Sequence, residues 1–200
     1  MNFLAHIYLS AEDPELKIGN FIADSVKGRK YEQFPPRISQ GIQLHRKIDH
    51  FTDTHTIVQQ SILRIKPKYK RYSAVIVDLY YDHFLAANWT QYSETSLKTY
   101  AAQFYDLLQS YYNILPDRIQ NFMPYMIRHN WLLQYATLPG IATILHQMNQ
   151  RTKNRSKMNF AVVELEQYYI EFQKEFESFF EELRDFSAKE IQEILNTSDL

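Results

Sequence analysis

Hydrophobic residues recur every three or four positions along most of this chain, which is the spacing of one face of an α-helix. The segments 93–115 and 160–184 show the pattern most clearly, with apolar side chains on a single helical stripe. No segment alternates apolar and polar residues in the manner of a strand, and no internal repeat is evident. The pattern predicts an all-α fold, in which residues 1–200 form a single-domain helical bundle.

Prolines and glycines divide this pattern into separate helices. Asp13-Pro14 is a typical helix start, and Gly28 stands where a C-terminal cap is expected. Pro67 is expected to interrupt the helical pattern between residues 54 and 72. The segment 72–89 is so apolar that its helix should be largely buried. The predicted helices cover residues 14–27, 38–54, 72–89, 93–115, 118–135, 141–148 and 160–184.

The composition excludes several kinds of site. Four glycines and no cysteine occur among the 200 residues. We therefore expect no glycine-rich phosphate loop, disulfide, thiolate nucleophile or cysteine-bound metal. The run MNFLAHIYLS lacks the basic region of a secretory signal, and no apolar segment is long enough to predict a membrane span. We expect a cytoplasmic protein.

Charge is distributed unevenly, although the net charge is only −1. Residues 161–200 carry a net charge of −8, and residues 1–160 carry +7. The basic stretches 64–71 and 151–157 are either ordinary solvated faces or docking surfaces for an acidic macromolecule. Nucleic acid is not the expected partner, because no known nucleic-acid-binding motif occurs. The acidic segment 160–200 should be helical, and it could cover the site, pair with a second subunit or cap the bundle.

Two pairs of polar residues, each four positions apart, are the main candidates for chemistry. His45 and Asp49 should lie one turn apart on the same helical face, as should Asp78 and Asp82 in the apolar segment. A carboxylate removed from water is unfavourable unless it is paired, hydrogen-bonded or bound to a cation. Imidazole and carboxylate together suit manganese, magnesium, iron or zinc. The spacing therefore indicates that each pair supplies part of one metal site.

A structural polar network is the alternative explanation. A buried Asp78 can be neutralised by an arginine such as Arg46 or Arg71. A histidine on an apolar face, such as His6 or His83, is more often a hydrogen-bonded core residue than a ligand. Spacing alone leaves both explanations open. A ferritin-like di-iron site is disfavoured because the chain has no Glu-x-x-His pair.

Five sequence blocks resemble those of the acyl carrier protein phosphodiesterase family. They are MNFLAH at 1–6, GNFIADSVKGR at 19–29, FPPRI at 34–38, GIQLHRKIDHFTD at 41–53 and VDLYYDHFLAANW at 77–89. The resemblance implies an all-α fold that diverged from the HD phosphohydrolases. It also implies manganese-dependent hydrolysis of the phosphodiester between 4′-phosphopantetheine and a serine of holo-acyl carrier protein. The products would be apo-carrier protein and free 4′-phosphopantetheine.

The same resemblance implies a set of site residues. The expected ion is Mn²⁺, with Mg²⁺ or Fe²⁺ as alternatives, and its implied ligands are His6, Asp24, His45, Asp49, Asp78 and Asp82. The implied catalytic residues are His45, Arg46, Asp78 and His83. Because the implied carrier protein is acidic, the expected contacts with substrate are the basic residues Arg29, Arg46, Lys66, Lys68, Lys70 and Arg71. Asp53 belongs to the same blocks.

Within this set, Arg46 could offer its guanidinium to the phosphate, and His83 or His6 could protonate the leaving serine. The chain departs from the HD pattern in one respect. It has no adjacent His-Asp doublet, and the pairs Asp49-His50 and Asp82-His83 stand in reverse order. The identity of the ligands and the number of ions therefore stay open.

Two other functions fit the same residues. One is a metal-dependent phosphohydrolase that acts on nucleotides or other small phosphoesters. The other is a non-catalytic helical module that binds a carrier protein, with the acids in a structural network. Activity towards small substrates separates the first from a carrier-specific enzyme, and metal analysis separates the second.

Overall fold

The computed structural model describes residues 1–198 and the side-chain exposure of residues 1–196. This part of the chain contains helices and no strand, which confirms the predicted all-α fold. The α-helices in chain order are α1 (Phe3–Tyr8), α2 (Pro14–Ile22), α3 (Pro36–Thr54), α4 (Thr56–Tyr69), α5 (Ser73–Ala87), α6 (Leu97–Ser110), α7 (Asp117–Arg128), α8 (Trp131–Gln134), α9 (Leu138–Arg151), α10 (Ala161–Gln167) and α11 (Tyr169–Ser198). Short 3₁₀ turns join several of them.

Helix α5 lies at the centre of the core, as its apolar sequence predicts. It packs against α1, α4, α9 and α11. Its ring contacts with α11 include Tyr80 on Phe172 at 5.1 Å and Tyr81 on Phe176 at 5.6 Å between centroids. Full burial of such a phenylalanine contributes roughly 1.5–3 kcal/mol to folding. The aromatic stripe of α11 therefore holds the long C-terminal helix against the helix that carries Asp78 and Asp82.

Helices α2 and α3 approach each other closely at two glycines. A Cβ atom on Gly19 would lie 2.1 Å from the carbonyl oxygen of Ile38. A Cβ atom on Gly41 would lie 2.6 Å from the carbonyl oxygen of Leu16. Only glycine permits this approach, since any side chain would overlap backbone atoms of the facing helix. The contact fixes the part of α2 that follows Gly19 against the middle of α3.

Several helix boundaries differ from those predicted. Pro67 lies inside the last turn of α4, where the missing N–H removes a single helical hydrogen bond, so the helix continues to Tyr69. The expected helix over 160–184 is divided into α10 and α11, and α11 runs on to Ser198. Residues Phe3–Tyr8 form α1, which the sequence pattern did not predict.

The acidic α11 packs on the bundle and pairs with basic residues of α3 and α4. Glu175 makes a two-point contact of 2.5 Å with the guanidinium of Arg64. Glu190 pairs with Lys47. No described residue of α11 lines the candidate site. Among the described residues, no helix has the length and hydropathy needed to cross a membrane.

Candidate metal centre

Three predicted ligands, His6, His45 and Asp49, converge in the structure. Each offers one ligand atom, and these atoms all lie within 4.8 Å of one another. The Nε2 atom of His6 is 3.2 Å from Oδ1 of Asp49, and the Nε2 atom of His45 is 3.0 Å from Oδ2 of Asp49. The two imidazole rings are stacked, with centroids 3.9 Å apart. This donor set is compatible with a divalent metal ion.

Asn20, at the tight contact between α2 and α3, orients both imidazoles. Its Oδ1 atom lies 2.8 Å from Nδ1 of His6 and 3.0 Å from Nδ1 of His45. Its Nδ2 atom donates to the hydroxyl of Ser10 at 2.9 Å, which in turn donates to the carbonyl of His6 at 2.9 Å. Because Oδ1 can only accept, each imidazole must carry a hydrogen on Nδ1. The Nε2 atoms of both histidines therefore face Asp49, and that of His45 also faces Asp24.

The surroundings of the His6 Nε2 atom show whether a metal ion fits this site. The atom is buried and has no hydrogen-bond partner, although Asp49 lies close to it. A buried nitrogen without a partner is unfavourable, and a cation between the imidazoles and Asp49 would satisfy it. Asp24 adds an exposed carboxylate, with Oδ1 3.4 Å from Nε2 of His45. The donor atoms present fit the divalent ion that the resemblance implies.

The carboxylates favour positive charge at the centre. Burial and the neighbouring His45 lower the pKa of His6 to about 4. Burial also opposes protonation of His45, but hydrogen bonds to Asp24 and Asp49 outweigh it and raise its pKa to about 9. Burial would raise the pKa of Asp49, yet the neighbouring imidazoles of His45 and His6 hold it well below its usual range. The site is therefore arranged to stabilise one positive charge beside Asp49.

Asp78 and Asp82 lie one turn apart on α5 but have different surroundings. Asp78 is partly exposed and accepts a hydrogen bond from the amino group of Met1 at 2.8 Å. Asp82 is fully buried and accepts hydrogen bonds from the backbone N–H groups of Asn2 at 3.1 Å and Leu4 at 2.8 Å. Burial raises the pKa of Asp82 to about 7. Asp82 thus caps the start of α1, and it does not reach the three converging ligands.

His83 is also held away from the centre. Its Nδ1 atom lies 2.7 Å from the carbonyl oxygen of Tyr135, and its Nε2 atom lies 3.0 Å from the hydroxyl of Tyr169. Burial lowers its pKa, so the ring is neutral, with Nδ1 donating and Nε2 accepting. His83 therefore has the contacts of a core histidine. It joins α5 to Tyr135, which follows α8, and to Tyr169 at the start of α11.

Arg46, on the outer face of α3, and Arg29, in the loop before it, are both exposed. The guanidinium of Arg46 donates to the carbonyl oxygens of Val26 at 3.0 Å and Gly28 at 2.8 Å, and it packs on the ring of Tyr31. Arg29 forms a surface ion pair with Glu32. Neither arginine lines the cavity around the metal ligands. In this conformation Arg46 holds the loop after α2 against α3.

Two adjoining clefts surround the centre. The metal cleft, of about 200 Å³, contains the three converging ligands together with Asp24, Asp53 and Asp78. The side cleft, of about 220 Å³, shares Met1, Asn2, Phe3, Asp24 and Asp78 with it. The rest of the side cleft includes Val75, Arg118, Trp131, Ile144, Met148 and Arg151. Val75 belongs to α5 and the others to α7–α9, and all of them lie outside the five resembling blocks. Only Arg151 belongs to a stretch, 151–157, that the charge pattern indicates.

The two basic stretches predicted as docking surfaces meet at a third hollow. Residues 68–72 and 155–157 line a cavity of about 290 Å³. Lys68 is neutralised by Glu164, and Arg64 by Glu175. The remaining cations of the two stretches are exposed and form no ion pair within the described residues; they are Lys66, Lys70, Arg71, Arg151, Lys153, Arg155 and Lys157.

Comparison with known proteins tests the resemblance seen in the five blocks. The family model described as acyl carrier protein phosphodiesterase matches residues 1–183. Proteins of that name from Photorhabdus laumondii subsp. laumondii and Pectobacterium atrosepticum are each 32% identical to the chain over 181 residues. The alignments cover 90% of this chain and 91% and 94% of the respective relatives. A protein of the same name from Escherichia coli O6:H1 is 27% identical over 190 residues, covering 94% of this chain and 98% of that relative.

No solved structure matches the chain, so the likeness to HD phosphohydrolases stays a prediction. The match to the family model covers most of the chain and is sufficient to assign it to a family. The resemblance predicted from the five blocks is confirmed: the chain belongs to the acyl carrier protein phosphodiesterase family.

Proposed function

We propose that this protein hydrolyses the phosphodiester that joins 4′-phosphopantetheine to the serine of holo-acyl carrier protein. Water adds to phosphorus, the bond between phosphorus and the serine oxygen breaks, and free 4′-phosphopantetheine and apo-carrier protein result. The observation that carries this proposal is the convergence of His6, His45 and Asp49 in a chain of this family.

The proposed ligands of a divalent cation are His6, His45 and Asp49, with Asp24 beside them. Mn²⁺ is the ion expected from the family resemblance, and Mg²⁺ or Fe²⁺ are the alternatives. When bound, such an ion lowers the pKa of a coordinated water and polarises the phosphoryl oxygens. The predicted ligand Asp82 contributes indirectly, by capping the helix that carries His6.

The chain's own groups orient the reactants. Asn20 keeps both imidazoles in the tautomer whose Nε2 atoms are directed to the carboxylates. Asp78 stands where the two clefts meet, and its carboxylate can accept a hydrogen bond from the attacking water. The serine oxygen must gain a proton as it leaves. Both nitrogens of His83 are engaged elsewhere, and His6 is neutral with its N–H donated to Asn20. Solvent in the metal cleft is therefore the proposed source of the proton.

An acidic carrier protein is the proposed macromolecular substrate. The exposed cations around the third hollow, which include Lys70, Arg71 and Arg155, would complement its charge and steer the encounter. Arg46 and Arg29 offer further positive charge beside α3. Lys68 contributes less positive charge to this surface, because it forms an ion pair with Glu164. The cytoplasmic location expected from the sequence stays a prediction.

The direct test is incubation of purified protein and Mn²⁺ with holo-acyl carrier protein, followed by mass spectrometry of the carrier. We expect the carrier to lose the mass of 4′-phosphopantetheine. His45→Ala and Asp49→Ala should abolish this loss while helical content stays near wild type. His50→Ala is the matched control, because His50 is exposed on the same helix and outside the metal cleft.

Two results would contradict the proposal. One is an unchanged carrier mass with every divalent metal tested. The other is rapid turnover of small phosphoesters or nucleotides with no action on the carrier, which would favour a general phosphohydrolase. A protein that binds the carrier but holds no metal and hydrolyses nothing would be the binding module instead.

A further inference from the structure

The side cleft is continuous with the proposed reaction centre. Both clefts are lined by Asp24 and Asp78 and by the first three residues of the chain. A ligand with its phosphorus in the metal cleft can therefore extend into the side cleft without leaving the protein surface. Together the two clefts reach the size of ordinary small-molecule sites, roughly 300–1,000 Å³.

Trp131 lines the side cleft, and its indole N–H lacks a hydrogen-bond partner. Its side chain is 8% exposed, and its indole N–H is buried without an acceptor. The other tryptophan, Trp89, instead donates to the carbonyl oxygen of Thr95 at 2.7 Å. A buried donor without an acceptor is unfavourable by about 1–3 kcal/mol. This donor is the kind of group that a ligand carbonyl oxygen would satisfy.

The rest of the lining combines apolar and cationic groups. Val75, Ile144 and Met148 supply partly buried apolar side chains. Arg118 and Arg151 are exposed and form no ion pair with an acidic residue in the described part of the chain. The guanidinium of Arg151 packs over the ring of Trp131 at 5.7 Å. The side cleft thus combines an apolar wall, an indole ring whose N–H has no acceptor, and two cations.

We infer that the side cleft binds the pantetheine arm of the substrate, an inference that rests on the proposed function. This arm is a linear chain that begins beside the phosphate with two geminal methyl groups and continues through two amides. The methyl groups contact Val75, Ile144 and Met148, and an amide carbonyl accepts the hydrogen bond from Trp131. The arm therefore distinguishes the substrate from simple phosphodiesters, which cannot fill the side cleft.

Direct binding of pantetheine tests the inference without any catalytic step. The full chain is labelled with 5-fluorotryptophan, which gives two ¹⁹F resonances, and it is titrated with pantetheine. We expect a saturable shift of the Trp131 resonance and none of the Trp89 resonance, since Trp89 lines neither cleft. Trp131→Phe assigns the resonances by removing one. An unmoved Trp131 resonance up to the solubility of pantetheine, or equal shifts of both, would overturn the inference.

A kinetic test uses substitutions in the side cleft. Trp131→Phe keeps an aromatic ring but loses the N–H, and Ile144→Phe narrows the space. Both should raise KM for holo-carrier protein, by up to about tenfold for the lost hydrogen bond. Hydrolysis of bis(p-nitrophenyl) phosphate, which has no arm, should keep its wild-type rate. Thr143→Phe, on the exposed side of α9, is the matched control.

The two proposals fail in distinguishable ways. If the wild-type protein releases no 4′-phosphopantetheine, the proposed function is wrong whatever the ¹⁹F spectra show. If it releases the product but the substitutions in the side cleft alter both substrates equally, only the side-cleft inference is wrong.

Discussion

The side-chain amide of Asn20 donates a hydrogen bond to the hydroxyl of Ser10, with 2.9 Å between Nδ2 and Oγ. Both residues are fully buried. This bond determines which end of the Asn20 amide faces the metal ligands, because an amide rotated by half a turn would present N–H groups to His6 and His45. The Ser10 hydroxyl touches only the backbone carbonyl of His6, yet through Asn20 it is connected to the tautomers of both His6 and His45.

We expect Ser10→Ala to weaken metal binding without disturbing the fold. The variant removes the acceptor for Nδ2 and so loosens the orientation of Asn20. Loss of such an outer hydrogen bond typically lowers metal affinity by about 10–100-fold. Isothermal titration of Mn²⁺ into the metal-free protein measures the affinity directly. Ser39→Ala on α3 is the control, and a Ser10→Ala affinity equal to that of this control would contradict the role of the bond.

We expect Gly19→Ala and Gly41→Ala to destabilise the protein. Each added methyl group would meet backbone atoms of the facing helix at 2.1 Å and 2.6 Å, respectively, so α2 and α3 must separate. Overpacking of this kind lowers the free energy of unfolding by roughly 1–3 kcal/mol. Urea denaturation followed by circular dichroism measures the change. Gly28→Asn should be nearly neutral, because Gly28 has a φ of +57° and no atom within 4 Å of an added Cβ.

The stability contributed by Asp82 should depend on pH. Its pKa is about 7 in the folded protein, above the usual value of about 4, so the folded state binds a proton more tightly than the unfolded state. Between pH 4 and 7 the free energy of unfolding should therefore fall as pH rises, by about 1.4 kcal/mol per pH unit from this group. Asp82→Asn removes the titration.

The difference in unfolding free energy between wild type and Asp82→Asn isolates this effect, since other groups titrate equally in both proteins. Urea denaturation at several pH values should show the difference decreasing from about pH 4 to about pH 7. A difference that grows with pH would show instead that the N–H groups of Asn2 and Leu4 hold the Asp82 carboxyl in its ionised form.

The sequence predicted the convergence of His45 and Asp49 better than the surroundings of Asp78 and Asp82. His45 and Asp49 come together because four-residue spacing on a helix fixes their relation. The same spacing put Asp78 and Asp82 on one stripe but could not show that α1 would cover Asp82. The environment of Asp82 depends on a contact between residues 78 positions apart, Leu4 and Asp82, which periodicity does not encode.

Residues outside the resembling blocks were harder to find. Trp131 and Ile144 reach the side cleft because α9 packs against α5 and α8 packs against α9. Their sequence pattern is that of ordinary core residues. Asn20 lies inside the block at 19–29, where the sequence shows it only as a polar residue four positions before Asp24. Its function depends on the close contact at Gly19 and Gly41, which becomes evident only when α2 and α3 are packed together.

Reversal of charge around the third hollow should weaken the encounter with the carrier protein. Lys70→Glu combined with Arg155→Glu should raise KM for holo-carrier protein and reduce its dependence on salt, because steering by exposed charges is screened at high ionic strength. The kcat value should stay near wild type, since neither residue lines the metal cleft. Lys98→Glu, an exposed charge on α6, is the control. Steady-state kinetics at low and high salt measure both effects, and a KM that matches the control would direct the search for the docking surface to Arg29 and Arg46.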